Sequence, residues 1–202
     1  NEVSFTEFIE EGSRTTKYKT QRGGLIDVSY GVELTRGLFL AGAVSRFDGS
    51  SDVDIDQQIP HPFFFDQMRT LKGTATALKR EEIAVHFQAA GITRINRRVH
   101  LFLGLGPSLF RLKQTIVKDV TYTQEYPFDE VSFASAQTEL QERTRVGANI
   151  QLNIVTMVAR HVGVDGLVRF SRASMSFTGS DGSKFSVRAG GLHVGIGLRA
   201  EF

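Results

Sequence analysis

Residues 190–202 read GGLHVGIGLRAEF and alternate without interruption. Leu192, Val194, Ile196, Leu198, Ala200 and Phe202 are apolar, and Gly191, His193, Gly195, Gly197, Arg199 and Glu201 lie between them. A period of two is that of a β-strand, whose successive side chains point to opposite faces. The segment is therefore a strand with one fully apolar face and one face of glycine and charge, ending on an aromatic residue.

Seven further segments alternate. Residues 145–158 set Val146, Ala148, Ile150, Leu152, Ile154 and Val158 against Arg145, Asn149, Gln151 and Asn153. Residues 98–110 set Val99, Leu101, Leu103 and Leu105 against His100, Gly104, Gly106 and Ser108. Residues 82–90 set Ile83, Val85, Phe87 and Ala89 against Ala84, His86 and Gln88. Residues 24–34 set Ile26, Val28, Tyr30, Val32 and Leu34 against Asp27, Ser29, Gly31 and Glu33. In 38–48 the assignment puts Phe39, Ala41, Ala43 and Phe47 outward and Gly42, Arg46 and Asp48 inward; in 164–177 it puts Val168 and Phe170 outward, Asp165 and Arg169 inward. The first segment, about 2–10, places Val3, Phe5 and Ile9 on an outer face.

The links between these eight segments fall into two kinds. Those at 35–37, 91–97 and 159–163 are short, those at about 11–22, 49–76 and 117–141 are long, and the last hairpin turns at 179–183 through Asp181-Gly182, a favoured tight-turn pair. A soluble up-and-down barrel also alternates, but it turns its apolar face inward. Here the inner face would carry Asp, Arg, His, Asn and Gln, and a polar interior under an apolar exterior requires lipid outside. No run approaches the ~18 apolar residues of a membrane helix, and a spanning β-sheet needs none, since only alternate residues meet lipid. Cysteine is absent, which excludes disulfides and thiolate metal sites, and a net charge of +2 gives no reason to expect nucleic acid. The sequence begins at Asn1 with no signal-peptide pattern, as expected of a processed chain.

Alternation, loop asymmetry and the terminal aromatic together resemble the eight-stranded outer-membrane barrels of the OmpA membrane domain and OmpX. The resemblance implies an all-β, eight-stranded antiparallel up-and-down transmembrane β-barrel. It would form one domain over 1–202 with extracellular loops at about 11–22, 49–76 and 117–141. It also implies an integral bacterial outer-membrane location in a Gram-negative cell envelope, both termini periplasmic, with outer-membrane lipid and lipopolysaccharide as surroundings. Insertion would be by the barrel-assembly machinery, read from a C-terminal signal that maps onto Ile196, Leu198 and Phe202. It implies no reaction and no cofactor.

Three groups of residues are candidates for function. The inward set is Asp27, Glu33, Arg46, Glu82, His86, His100, Arg145, Asn149, Gln151, Asn153, Asp165, Arg169, His193, Arg199 and Glu201. An eight-stranded barrel has an interior that side chains just fill, and buried charges must be paired, so this set reads first as a structural network and second as a narrow conducting path. A catalytic reading finds little footing. No histidine has Ser two residues on, as in lipid A deacylases, and the five histidines lack metal-ligand spacing such as HExxH. The second group is Phe63, Phe64 and Phe65 in IPHPFFFDQM, which either fold back on the barrel rim or lipid interface or offer a contact surface for a partner, a surface or another copy. The loop at 117–141 carries Tyr122, Tyr126, Phe128 and Phe133 among acids, and the two loops are expected to pack together. The third is a basic set, Arg14, Lys17, Lys19, Arg22, Lys72, Lys79, Arg80, Lys113, Lys118, Lys184 and Arg188, which either pairs with glycolipid phosphates or is a solvated surface. The expected role is structural or interactive, with loops binding a partner; the alternative is a small pore for ions or little solutes.

Overall fold

The computed structural model describes residues 2–19, 22–178, 182 and 184–201. They form one antiparallel sheet of nine strands: β1 (Glu2–Glu7), β2 (Glu10–Tyr18), β3 (Arg22–Thr35), β4 (Leu38–Pro60), β5 (Met68–Arg94), β6 (Val99–Gln124), β7 (Val131–Met157), β8 (Val162–Thr178) and β9 (Lys184–Ala200). From β4 onward each strand pairs with the next in sequence. β2 and β3 lie end to end along β4: residues 13–18 pair with 53–58 and residues 22–35 with 38–50. β1 pairs only with β2, from Glu2 opposite Thr15 to Glu7 opposite Glu10.

Four of the strands are long. β4 to β7 run for 23, 27, 26 and 27 residues, against the ~9–11 of a membrane crossing. The expected loops at 49–76 and 117–141 are mostly strand: residues 49–60 and 68–76 continue β4 and β5, residues 117–124 and 131–141 continue β6 and β7, and only 61–67 and 125–130 connect them. The expected loop at 11–22 is largely β2. The expected first crossing strand at 2–10 also fails. β1 stands at the far end of the sheet, with Val3 buried and Phe5 packed on a core, while Ile9 sits in the β1–β2 turn. The tight turn expected at 179–183 falls, apart from Gly182, outside the described residues, as does Phe202.

The sheet has two zones of opposite polarity. In the lower zone, nearest the turns at 36–37, 95–98 and 158–161, Leu103, Leu105, Val146, Ile150, Ile196 and Leu198 stand exposed on the outer face while the inner face is polar. In the upper zone the inner face holds Val53, Ile55, Ile59, Leu71, Ala75, Leu78, Val117 and Val120 in one buried cluster, with Phe5, Tyr18, Tyr122 and Phe133 packed against it. The outer face there carries residues such as Asp54, Asp56, Lys72 and Lys118. A second cluster, Phe110, Leu112, Met175 and Phe177 among others, joins the zones. Gly73 lets Phe133 seat on bare backbone, since a Cβ there would stand 2.3 Å from the ring.

The register of β4 is the reverse of the sequence assignment. Ala43 and Ser45 are buried on the inner face, while Leu40, Val44 and Arg46 point outward. The stretch LFLAGAVSRF has apolar residues at both parities, so alternation alone could not choose; pairing with β3 and β5 does.

Among the described residues nothing pairs with the outer edges of β3 and β9, and the sheet is not closed into a barrel by a backbone ladder. Side chains nevertheless reach across the interior. Arg169 on β8 forms a salt bridge with Asp27 on β3, and Glu82 on β5 accepts the Gly190 N–H of β9 at 2.9 and 3.1 Å. Gly190 has φ +81°, and a Cβ there would press on the Ser171 carbonyl at 2.4 Å, so glycine is required at this kink. A cleft of about 780 Å³ opens beside the seam, between Tyr18, Lys19 and Phe47 on one side and residues 185–193 of β9 on the other.

Candidate functional site

Alternation places one side chain per two residues on the inner face, and six neighbouring strands there supply a single hydrogen-bonded network. His86 of β5 stands between two hydroxyls, Ser45 Oγ of β4 at 3.0 Å from Nε2 and Ser108 Oγ of β6 at 2.7 Å from Nδ1. One ring nitrogen donating and the other accepting satisfies both. Asn149 of β7 donates to Ser108 Oγ at 2.8 Å and accepts from Gln88 Nε2 at 2.5 Å. Gln88 also donates to Gln151 at 3.0 Å, Gln151 to Asn153 at 2.6 Å, and Asn153 to both oxygens of Asp165 at 2.9 and 2.8 Å. Arg169 donates through Nε to Gln151 at 2.7 Å and closes the chain on Asp27.

Arg169 and His86 are fully buried, and every group in the chain has a direct protein partner, as burial of polar atoms demands. The arrangement ties β3 through β8 to one another with side chains alone. His86 has serine hydroxyls on both ring nitrogens and no carboxylate, and Ser45 is buried. Among the described residues no group of three or more His, Asp or Glu side chains is placed to hold a metal ion.

A separate tier lies above this network. Glu82 takes Arg80 at 3.0 Å as well as the Gly190 N–H, and Arg80 donates to the Arg188 carbonyl at 2.9 Å. A lower tier joins Arg199 to Glu201 at 3.2 Å and lays the Arg199 guanidinium over Phe102 at 3.7 Å from the ring centroid, with His100 3.9 Å from Glu201.

The second candidate site is the distal tip, where three connections meet. His61 is buried and its Nδ1 accepts from the Phe63 and Phe64 amides at 3.1 and 3.2 Å. Its ring lies 4.8 Å from that of Phe64. Phe63 packs on Phe128 at 5.6 Å, and Phe128 on Tyr126 at 5.9 Å. Buried Arg69 fastens the two loops together, donating to Gln124 at 2.7 Å, the Phe128 carbonyl at 2.9 Å and the Pro60 carbonyl at 2.8 Å. The Asp66 amide donates to Glu10 at 2.7 Å and Tyr122 donates to Glu7 at 2.5 Å, which tie in the β1–β2 hairpin. Burial, followed by the Glu7 carboxylate, holds the Tyr122 hydroxyl up at about 12.

No protein-family model matches the chain, and neither a curated protein nor a solved structure matches it. The functional reading therefore rests on the geometry.

Of the inward set, Asp27, His86, Asn149, Gln151, Asn153, Asp165 and Arg169 come together in the main network. Glu82 belongs to the upper tier and His100, Arg199 and Glu201 to the lower one. His193 is half-buried beside the seam cleft. Glu33 is exposed and accepts the Gly37 amide at 3.0 Å, capping a turn. Arg145 is exposed. Arg46 lies on the outer face, where it bonds Asp48 at 2.9 Å and Glu81 at 3.4 Å, because the register of β4 is reversed. Ser45, Gln88 and Ser108 were absent from the expected set. The alternation already puts Gln88 and Ser108 inward, on the same face as His86 and His100. Among the basic residues, Arg14 bonds Asp119, Lys19 pairs with Asp54, Lys113 with Glu142 and Lys118 with Glu139.

Proposed function

We propose that this chain is an integral outer-membrane β-barrel protein of the eight-stranded OmpA/OmpX-like kind, anchoring a stiff extracellular projection whose tip binds a partner. One observation carries the reading: the polarity of the sheet inverts at one level on successive strands. Below that level the outer face is apolar over residues 26–34 of β3, 101–109 of β6, 146–154 of β7 and 162–170 of β8, nine residues each, with only Gly166 and Pro107 interrupting or softening the rows. Nine residues is the length of a tilted membrane crossing. Just above it the outward positions become Arg46, Glu81, Arg111, Thr144, Arg172 and Arg188, four of the six cationic. Cations at that height suit the phosphates of outer-leaflet glycolipid.

A spanning sheet cannot keep free edges, since each unpaired backbone group in hydrocarbon costs several kcal/mol. Seven strands, β3 to β9, enter the apolar zone. β3 and β9 run in the same direction, so one more strand running the opposite way, as β1 does, would pair with both and complete an even-numbered wall. Because the chain has no native cysteine, cysteine pairs across the seam give a clean report. Pairs between 26–34 and 192–198 should resist direct disulfide formation in the assembled protein. Ready cross-linking there means that β3 and β9 meet and the intervening strand is not needed.

The test of the membrane reading itself is insertion. The protein refolded into lipid should migrate faster on gels before heating than after, and protease on intact cells should cut in 61–67 and 125–130 while sparing Arg94, Arg98 and Arg160. A protein that stays in the aqueous phase when refolded without lipid or detergent ends the proposal.

A further inference from the structure

The tip displays six apolar side chains to solvent: Phe8, Ile9, Phe63, Phe64, Phe65 and Tyr126, from 44% exposed for Phe8 to 95% for Ile9. They lie far from the apolar zone. From Val44, the last outward apolar residue of β4, to Pro60 is sixteen residues, roughly 50 Å along the strand at about 3.3 Å each. Phenylalanines at that distance do not fold back on the rim or dip into the protein's own membrane.

The display is built at a backbone cost. Phe8 and Ile9 occupy the β1–β2 turn at φ 50° and 72°. Two positive φ values in a two-residue hairpin turn are the place of Asn-Gly, and a β-branched residue there is strained. A turn chosen for folding alone would not put Phe-Ile there, and strain of this sort concentrates at binding sites.

The collar is acidic. Glu11, Asp66, Glu125, Asp129 and Glu130 are exposed around the three connections, and the one Lys or Arg within them or at their junctions, Arg69, is buried and already bonded three times. Such a field repels anionic lipid headgroups and repels the tip of a second copy. It attracts a cationic surface. Resting on the proposed membrane-anchored reading, we propose that the tip binds a basic protein surface with an apolar recess, the rings filling the recess and the carboxylates meeting its cationic rim. Six side chains make a patch of a few hundred Å², suited to a peptide-sized or transient contact.

The experiment uses the full chain in nanodiscs of zwitterionic lipid, with an amphipathic lysine–leucine peptide as probe. The peptide should bind, and its affinity should fall about tenfold or more on raising salt from low to well above physiological strength. A glutamate–leucine peptide of the same length should not bind. F63S/F64S/F65S should abolish binding while leaving heat-dependent migration intact. Phe8→Asn with Ile9→Gly is the sharper variant: it should weaken binding while making the hairpin more stable, an opposition that a packing role would not produce. Salt-insensitive binding, equal binding of the acidic peptide, capture of phosphatidylglycerol vesicles, or concentration-dependent dimers through the tip each overturn the proposal. A protein that inserts normally but ignores the peptide also overturns it and leaves the membrane reading standing. A protein that binds the peptide but never inserts overturns the membrane reading instead.

Discussion

The lower and upper halves of one sheet solve opposite burial problems. Below the level of Arg46, Leu103, Ile150 and Ile196 face out, and Gln88, Asn149, Gln151 and Arg169 face in. Above it, Val53, Ile55, Leu71 and Val120 face in, and Asp54, Asp56, Lys72 and Lys118 face out. β4 to β7 pass from one half to the other without breaking, and the β4–β5 and β6–β7 ladders continue through both, while the β5–β6 ladder ends at Arg80 opposite Gln114. On the membrane reading proposed above, what differs is the medium the outer face must satisfy. The comparison teaches that the lower half is held by a hydrogen-bonded polar interior, with lipid outside on the proposed reading, and the upper half by an ordinary apolar core. Each half should therefore fail to a different substitution.

The largest expected loss is at Arg169. It is fully buried, and Arg169→Met strands the Asp27 carboxylate and removes the donor to Gln151. Removing one member of a buried pair costs about 3–5 kcal/mol. Arg169→Met combined with Asp27→Asn should be milder than Arg169→Met alone, because no charge is left unpaired. Urea titrations in lipid vesicles measure both. If the double variant loses as much as the sum of the singles, the network is not coupled.

Next is Leu71, fully buried in the upper core. Leu71→Ala should cost about 2–5 kcal/mol. Leu103→Ala on the outer face of the lower half opens no cavity in protein and should cost less. Equal losses would mean that the two halves bury their leucines in the same way.

Ile150→Arg follows, at about 2–4 kcal/mol if position 150 faces mid-membrane lipid. Thr115→Arg, outward on β6 in the upper half, should stay within about 0.5 kcal/mol of the parent. Were the lower half in water rather than lipid, the two arginines would score alike.

How much of this was readable from sequence follows the same division. The lower strands were legible because their outward rows are unbroken: 146–154 and 192–198 admit one register only. β4 was not, because Leu38, Phe39 and Leu40 are consecutive and Ala41, Ala43 and Val44 straddle both faces; only its partners fix it. The upper strands alternate just as plainly, with Asp52, Asp54 and Asp56 against Val53, Ile55 and Gln57. They read as loops because a crossing uses ~9–11 residues, and alternation beyond that length has no crossing to belong to. The inner network was legible as a set of inward polar residues but not as a chain of bonds, since Ser45 came from the strand whose register was ambiguous. The tip's phenylalanines were conspicuous, whereas Phe8 and Ile9 were hidden by being counted into a strand. An apolar pair where a hairpin needs Asn-Gly was the signal.

The smallest effect isolates the join between β1 and the rest of the upper half. Tyr122 donates its hydroxyl proton to Glu7 at 2.5 Å, a bond that pins the end of β1 to β6. Burial is the largest cause of its raised value of about 12, and the Glu7 carboxylate adds to it, because a phenolate would face both a poorer solvent and a negative neighbour. The unfolded chain releases this proton near 10. Between about 10 and about 12 the unfolded state therefore holds fewer protons than the folded one, and stability falls as pH rises. The contribution is complete below 10 and is lost as pH climbs through the folded value. Tyr122→Phe should cost about 1 kcal/mol at neutral pH, the worth of one hydrogen bond. It should also flatten the alkaline fall in the stability of the upper half, while the response of the lower half to Ile150→Arg stays as it was. If the parent and Tyr122→Phe lose stability in parallel above pH 10, the alkaline sensitivity belongs to other groups and the Glu7 bond does not hold β1 in place.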